Sequence, residues 1–209
     1  MSPAPRKKAA RKSPAERSAE IAQAARDLAL EQGLAGVTLR ALAARIDVTP
    51  ALVAHYEPSM DVVVADAFGS IVATEIDEVQ AEIASLETAT ARMMAMVDTL
   101  LDGTRDDVTV VWVEAWALGR RNEKLAAQVR TQMDAWQAAL ETVIADGVAA
   151  GEFDVTDAAA TAWQVLGMID GLNAQALVRW NDAGVRGSLL HRALEGMLGV
   201  KGFSLGASA

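Results

Sequence analysis

Apolar residues return at intervals of three and four along almost the whole chain, and strict alternation is nearly absent. That spacing gives a helix one dry stripe and would scatter on a strand, so the expectation is an all-α chain of about nine helices. Ile21, Ala25 and Leu28 mark the first dry face; Leu39, Leu42, Ala43 and Ile46 mark the second. "VTVVWV" at 108–113 has the β-branched content of a strand, but the spacing continues through Leu118 and favours helix.

Start and stop signals cut this pattern into elements. Ser13-Pro14-Ala15-Glu16 combines a capping serine, a proline at the first helical position and a glutamate placed to complete a capping box. Gly33 ends that helix where a positive φ is wanted. Thr38 caps the short run "LRALAARI", the turn Ile46-Asp47-Val48 follows, and Thr49-Pro50 repeats the start signal for a third helix through about Tyr56. Pro58 closes it and Ser59 caps a long fourth helix to about Leu86. Two short helices across a tight turn, with a supporting helix before them, have the pattern of a helix-turn-helix reader. Later helices are expected from Thr88 to Asp102, after Thr104 as cap, from Asn122 to about Gly147, from Thr156 to Trp180 and from Ser188 to Leu198. The division is then a basic arm at 1–12, a head at 13–75 with its motif at 38–57, and a helical body at 76–209.

Charge follows the same division. The chain carries −9 overall, yet residues 1–60 hold nine Lys or Arg against six Asp or Glu, and the remainder ten against 22. A small basic reading head on a large acidic body fits this asymmetry, as does a solvated tail on an acidic domain. The longest uncharged apolar stretch, "AAATAWQVLGMI", stops at Asp170, well short of the ~20 residues of a membrane span, so no membrane association is expected. No apolar segment backs the basic N-terminus as a secretory signal would require, which makes the cytoplasm the expected compartment. Without cysteine, thiol catalysis, disulfides and zinc-thiolate sites are impossible.

The stretch "TLRALAARIDVTPALVAHYEPS" resembles the tetracycline-repressor (TetR) family of bacterial regulators, over about residues 15–75. Val48, Thr49, Ala51, Val53, Tyr56 and Ser59 match or conservatively replace the family's consensus around the reading helix. From Trp112 onward the chain more distantly resembles the effector and dimerisation domain of betaine-repressor-like (BetI-type) members. Several positions depart from the pattern: Asp47 stands for the usual glycine, Ala54 for tyrosine, Glu57 for phenylalanine and Met60 for lysine. Aspartate tolerates a left-handed backbone, so the turn survives, whereas Glu57 and Met60 reduce attraction to phosphate.

The resemblance implies a homodimeric DNA-binding repressor released from a pseudo-palindromic operator by a small-molecule effector, with no cofactor. Thr49 and His55 would hydrogen-bond base edges, Pro50, Ala51 and Leu52 would touch thymine methyls, and Tyr56 would reach phosphate. Arg40, Arg45, the helix starts at Thr38 and Ser59, and the arm residues Arg6, Lys7, Lys8, Arg11 and Lys12 would position the duplex. Tyr56 could equally close the small core of the head. In the body, Met93, Met96, Val97, Trp112, Trp116, Met133, Trp136 and Met168 are the expected effector-pocket residues, with Glu114 and Asp170 pairing with a cation stacked on tryptophan. Plain core packing is the competing reading of the Trp and Met positions. Gly167, Gly171 and Gln175 lie on the expected dimer helix, where the glycines let a partner come close.

Enzyme function is not expected. "GFSLG" at 202–206 fits G-x-S-x-G, but that motif needs a strand before its serine and a histidine after it, and both His55 and His191 precede Ser204. The phosphate-cradling and dinucleotide-binding glycine motifs are missing, and two isolated histidines make no metal site. A helical ligand-binding or protein-interaction module that no longer reads DNA is the remaining alternative.

Overall fold

The computed structural model describes residues 12–181 and 183–200. The arm residues Arg6, Lys7, Lys8 and Arg11 and the "GFSLG" motif lie outside them. The described residues form nine α-helices and one short 3-10 turn, without a strand: α1 Pro14–Gln32, α2 Leu39–Arg45, α3 Pro50–Tyr56, α4 Met60–Ile83, α5 Ala89–Leu101, α6 Asp106–Gly119, α7 Glu123–Ala149, α8 Ala158–Ala176 and α9 Ala183–Leu198.

Most starts sit where a short polar side chain satisfies an otherwise orphaned amide. Ser13 accepts from the Glu16 N–H at 3.3 Å while the Ser13 N–H donates to the Glu16 carboxylate at 2.6 Å, the reciprocal box the sequence spells. Thr38, Thr49, Ser59, Thr88 and Asn122 each accept from the third residue onward. Asp47 takes φ 54, the left-handed turn that a glycine would otherwise supply.

Four expected boundaries are corrected. Thr104 does not cap α6: its N–H and its hydroxyl both donate to Asp102 at 2.7 Å, closing a local turn, and Arg105 becomes the cap residue without a side-chain bond. α8 starts after Asp157 rather than at Thr156, because the carboxylate accepts from the Ala160 N–H at 2.9 Å. It ends at Ala176, well before Trp180, where the backbone turns through positive φ at Arg179 and Asn181. α9 begins at Ala183 instead of Ser188: the glycines of "AGVRG" weaken a helix without forbidding it, and buried Arg186 donates back to the Asn181 carbonyl at 3.3 Å across its start.

α1, α2 and α3 make the head, around buried Ile21, Leu28, Leu42 and Val53. α4 leaves the head and runs unbroken into the body, so the expected boundary at 75/76 falls inside a helix. α7 is central to the body and packs on α4, α5, α6 and α8; α9 closes over α5 and α8. Phe153 folds back on α7 at Gly147, where a Cβ would come within 2.1 Å of the ring, so only glycine fits. Glu152 then reaches across to accept from the Ala89 and Thr90 N–H groups at 3.1 and 2.8 Å, pinning the start of α5. Those bonds hold its carboxyl below the usual range.

Head and body also meet through α6. Glu114 accepts from the Ala35 N–H at 2.9 Å, and Gly33, at φ 79, leaves room for that carboxylate, which a Cβ would approach to 2.6 Å. Among the described residues no helix is long and apolar enough to cross a membrane.

Candidate nucleic-acid interface and internal cavity

The short helix α3 presents Thr49, Pro50, Ala51 and His55 to solvent, with Leu52 half-buried. Arg40 is exposed on the outer side of α2. A helix this narrow and lightly decorated can enter a major groove and offer hydrogen bonds from His55 beside methyl contacts from Pro50 and Ala51. His55 and Tyr56 stack edge to face with centroids 5.2 Å apart. Tyr56 is half-buried and packs on the head's core, the closing role open to it from the sequence.

Two expected phosphate contacts are already engaged. Arg45 forms a fork on Glu31, one arm at 3.0 Å, with its charge held more firmly by that carboxylate. Lys12 pairs with Glu20. Ser59 spends its hydroxyl on the Val62 N–H at 3.4 Å, leaving the start of α4 as its contribution, and Met60 packs on the core. Glu31 was not singled out by the sequence reading, because helix spacing within α1 gives no sign of a partner 14 residues on.

The body holds a narrow pocket of about 40 Å³ where α4, α6, α7 and α8 converge. Trp112, Met133, Trp136 and Asp170 line it, four of the ten expected residues. Met93, Met96 and Val97 are fully buried core instead, because α5 turns that face into the bundle. Glu114 binds the head at Ala35 and is no ligand for a cation there. Trp116 stacks on Trp112 at 5.7 Å without lining the cavity, and Met168 packs half-buried beside the core on the other side of α8.

Among the lining residues the sequence did not single out, two are charged: Glu75 and Arg105. Glu75 is 6% exposed on α4, in a helix whose other polar residues face water. Burial pushes its carboxyl up to about 7, against the Arg105 charge and the Trp112 indole N–H, which both favour the ionised form. Asp170 is likewise raised, to about 6, by burial. Asp170 carries a sequence signal as a single acid after an apolar run, whereas Glu75, with Asp77 and Glu78 close behind it, carries none.

Two carboxylates beside two indole rings can hold a compact positive charge. The free volume suffices for a water and little more, so a larger guest must move side chains to enter. A wider groove of about 390 Å³ between α1 and α4 has no aromatic lining and lacks this chemistry.

On the outside of α8, Trp163, Gly167, Gly171 and Gln175 form one exposed stripe spaced by four, Trp163 at 66%. A Cβ at either glycine would meet nothing within 4 Å. α9 adds exposed Val185 and Leu189 beside it. Such a contiguous apolar face on paired helices is the form of a surface made to be covered.

The chain matches two family models: "Bacterial regulatory proteins, tetR family" over residues 21–67 and "BetI-type transcriptional repressor, C-terminal" over residues 89–199. No curated protein matches. Among solved structures, a transcriptional regulator from Saccharomonospora viridis in complex with choline aligns at TM-score 0.76 and 24% identity, over 87% of this chain and 96% of that one. A TetR-family transcriptional regulator from Rhodococcus sp. aligns at 0.74 and 18%, covering 88% and 99%. The fatty acid degradation regulator FadR from Bacillus halodurans aligns at 0.69 and 15%, covering 90% and 98%. At these identities the likeness shows the fold alone.

Proposed function

The chain belongs to the tetR family of bacterial regulatory proteins, with a C-terminal domain of the BetI-type repressors, and on that premise we propose a homodimeric repressor that a small organic cation releases from its operator. It is a DNA-binding transcriptional regulator. The repressor role, the effector and the dimer are the proposal, as is action in the cytoplasm.

One observation carries the choice of effector: buried Glu75 and half-buried Asp170 line the same cavity as Trp112 and Trp136. A quaternary ammonium group suits such a site because it offers charge without hydrogen-bond donors and stacks on indole faces. The choline complex of the Saccharomonospora viridis regulator supports the same class. Coupling follows from connectivity. Glu75 lies on α4, whose start follows the reading helix, and Trp112 shares α6 with Glu114, which holds the head at Ala35. A guest that wedges this cavity open favours a different placement of α4, and only such unequal binding to two arrangements can release DNA.

On the DNA, Thr49, Pro50, Ala51, Leu52 and His55 are proposed to read bases, with Arg40, Tyr56 and the start of α4 at Ser59 positioning the backbone. The α8 stripe through Gly167, Gly171 and Gln175 is proposed as the dimer face, which makes the operator a pseudo-palindrome with half-sites about one helical turn or more apart.

Fluorescence anisotropy against the gene's own upstream duplex and a scrambled one, with and without choline, tests this. A preference of ~10³ or more for the native duplex, reduced by choline, is expected. Equal, salt-sensitive binding to both duplexes across the flanking regions would remove the repressor reading. Specific binding indifferent to choline and to its quaternary analogues would remove the effector reading alone.

A further inference from the structure

The reading motif at 38–57 is tied to the body at both of its ends, and both ties come from one helical hairpin, α6 and α7. Before the motif, the Glu114 carboxylate of α6 accepts from the Ala35 N–H at 2.9 Å. Within that 3-10 turn the Gly36 and Val37 N–H groups donate to Gly33 and Leu34, and the Ala35 N–H donates instead to α6. After the motif, the Asn122 Nδ2 donates to the Asp61 carbonyl in the first turn of α4 at 3.1 Å. Ala35 precedes Thr38 by three positions and Asp61 follows Glu57 by four, so the two ties bracket the whole motif.

The hairpin is built to act as one piece. Its turn is closed by the Arg121 and Asn122 N–H groups, which both donate to the Leu118 carbonyl, at 2.9 and 3.1 Å. Asn122 also caps α7, its Oδ1 accepting from the Leu125 N–H at 3.0 Å, so one amide serves the hairpin with its oxygen and the head with its nitrogen. Gly119 lies against Ala126, where a Cβ would stand 3.5 Å from the α7 backbone. Exposed hydrogen bonds such as the two ties add little to stability. Their value is geometric: a single tie leaves the head free to pivot about it, whereas one at each end of the motif fixes its direction.

We propose that Glu114 and Asn122 are positioning residues for DNA reading: together they hold α3 at a fixed angle to the body and so set the half-site spacing that the dimer accepts. The inference rests on the dimeric operator-binding reading above. Neither side chain need touch DNA. A dimer presents two reading helices at a separation its operator must match, and a small rotation of each head changes that separation. Loosening either tie therefore broadens the range of spacings bound while leaving the base contacts of α3 as they are.

The test uses the full chain and the gene's upstream duplex with none, one or two base pairs inserted between its half-sites, read by fluorescence anisotropy. Asn122→Ser and Asn122→Asp keep an oxygen for the Leu125 N–H and lose the nitrogen that reaches Asp61. Glu114→Leu removes the acceptor for Ala35; Glu114→Gln keeps one. The parent is expected to lose ~tenfold or more in affinity on insertion, and Glu114→Leu and both Asn122 variants about threefold or less, with thermal unfolding nearly unchanged. Glu114→Gln should follow the parent. Amide exchange by NMR gives a second readout without DNA: Asn122→Ser should speed exchange at Ala35, beyond the other end of the motif, by about threefold or more. A parent indifferent to insertion, a spacing preference unchanged in either Glu114→Leu or Asn122→Ser, or unchanged Ala35 exchange in Asn122→Ser would overturn the bracket. Equal binding of the parent to native and scrambled duplexes would remove the operator reading instead, and Ala35 exchange alone would then decide between one bracket and two unrelated bonds.

Discussion

The head and the body solve the same problem, where to put polar groups, in opposite ways. In the head they are at the surface, close in sequence to what they bond: Thr38 and Thr49 each cap a helix of seven residues, and α3 is fixed within ten positions of the chain. In the body the informative polar groups are inside. Glu75, Arg105, Trp112, Trp136 and Asp170 span almost a hundred residues and meet only when four helices converge. A reading surface tolerates local assembly because water solvates whatever the DNA does not use. A binding cavity for charge needs desolvation, which no single helix supplies.

Phe68 offers the strongest test of how separate these regions are. It is fully buried on α4 and meets Trp112 edge to face at 5.0 Å. Phe68→Ala should cost about 3–5 kcal/mol in urea unfolding. If head and body share one cooperative unit through α4, the transition stays single; a split transition would make the head an independent module.

Glu75→Gln tests the buried side of the contrast, with a sign worked out from linkage. A carboxyl raised to about 7 when folded binds protons more tightly than when unfolded, so it costs stability above that range and ceases to cost it as pH falls towards 4.5. The parent should therefore become more stable from about pH 8 to pH 5, and the glutamine variant should be more stable than the parent at pH 8 by about 2 kcal/mol. Asp170 contributes in the same direction about one unit lower, leaving a residual slope in that variant. Glu152 runs the other way: held below its ordinary value by two amides, it loses its contribution only as pH drops through that lowered range. A parent curve flat from pH 5 to 8 would remove the buried-carboxylate account.

On the local side, Thr49→Ala should destabilise by about 1 kcal/mol through the lost cap and weaken specific DNA binding further by loosening α3. Stability reduced with specific binding unchanged would show that Thr49 only caps. The smallest expected effect is Glu31→Gln, which frees Arg45 from its carboxylate fork. Affinity for DNA should rise by several-fold and the salt dependence should steepen by about one phosphate contact; no change in slope would keep Arg45 off the backbone.

Much of this was legible without coordinates. The 13–16 capping box, the turn at Asp47 and the three capped starts at Thr38, Thr49 and Ser59 are written in adjacent residues and were read correctly from them. Reading failed where the deciding interaction was either one residue away or far away. Thr104 looked like a cap until Asp102 claimed its hydroxyl, and Glu114 looked like a pocket acid until the head's Ala35 amide claimed it.

The sequence by itself determined an all-helical chain, the positions of most helix starts and a three-helix head with an exposed reading helix, because caps, periodicity and turns act over a few residues. Tertiary structure alone decided which acids are buried, which arginines are free and which tryptophans share a cavity. Helical spacing says that a residue faces inward but not what it meets there, and the chemistry of the body lies in those meetings.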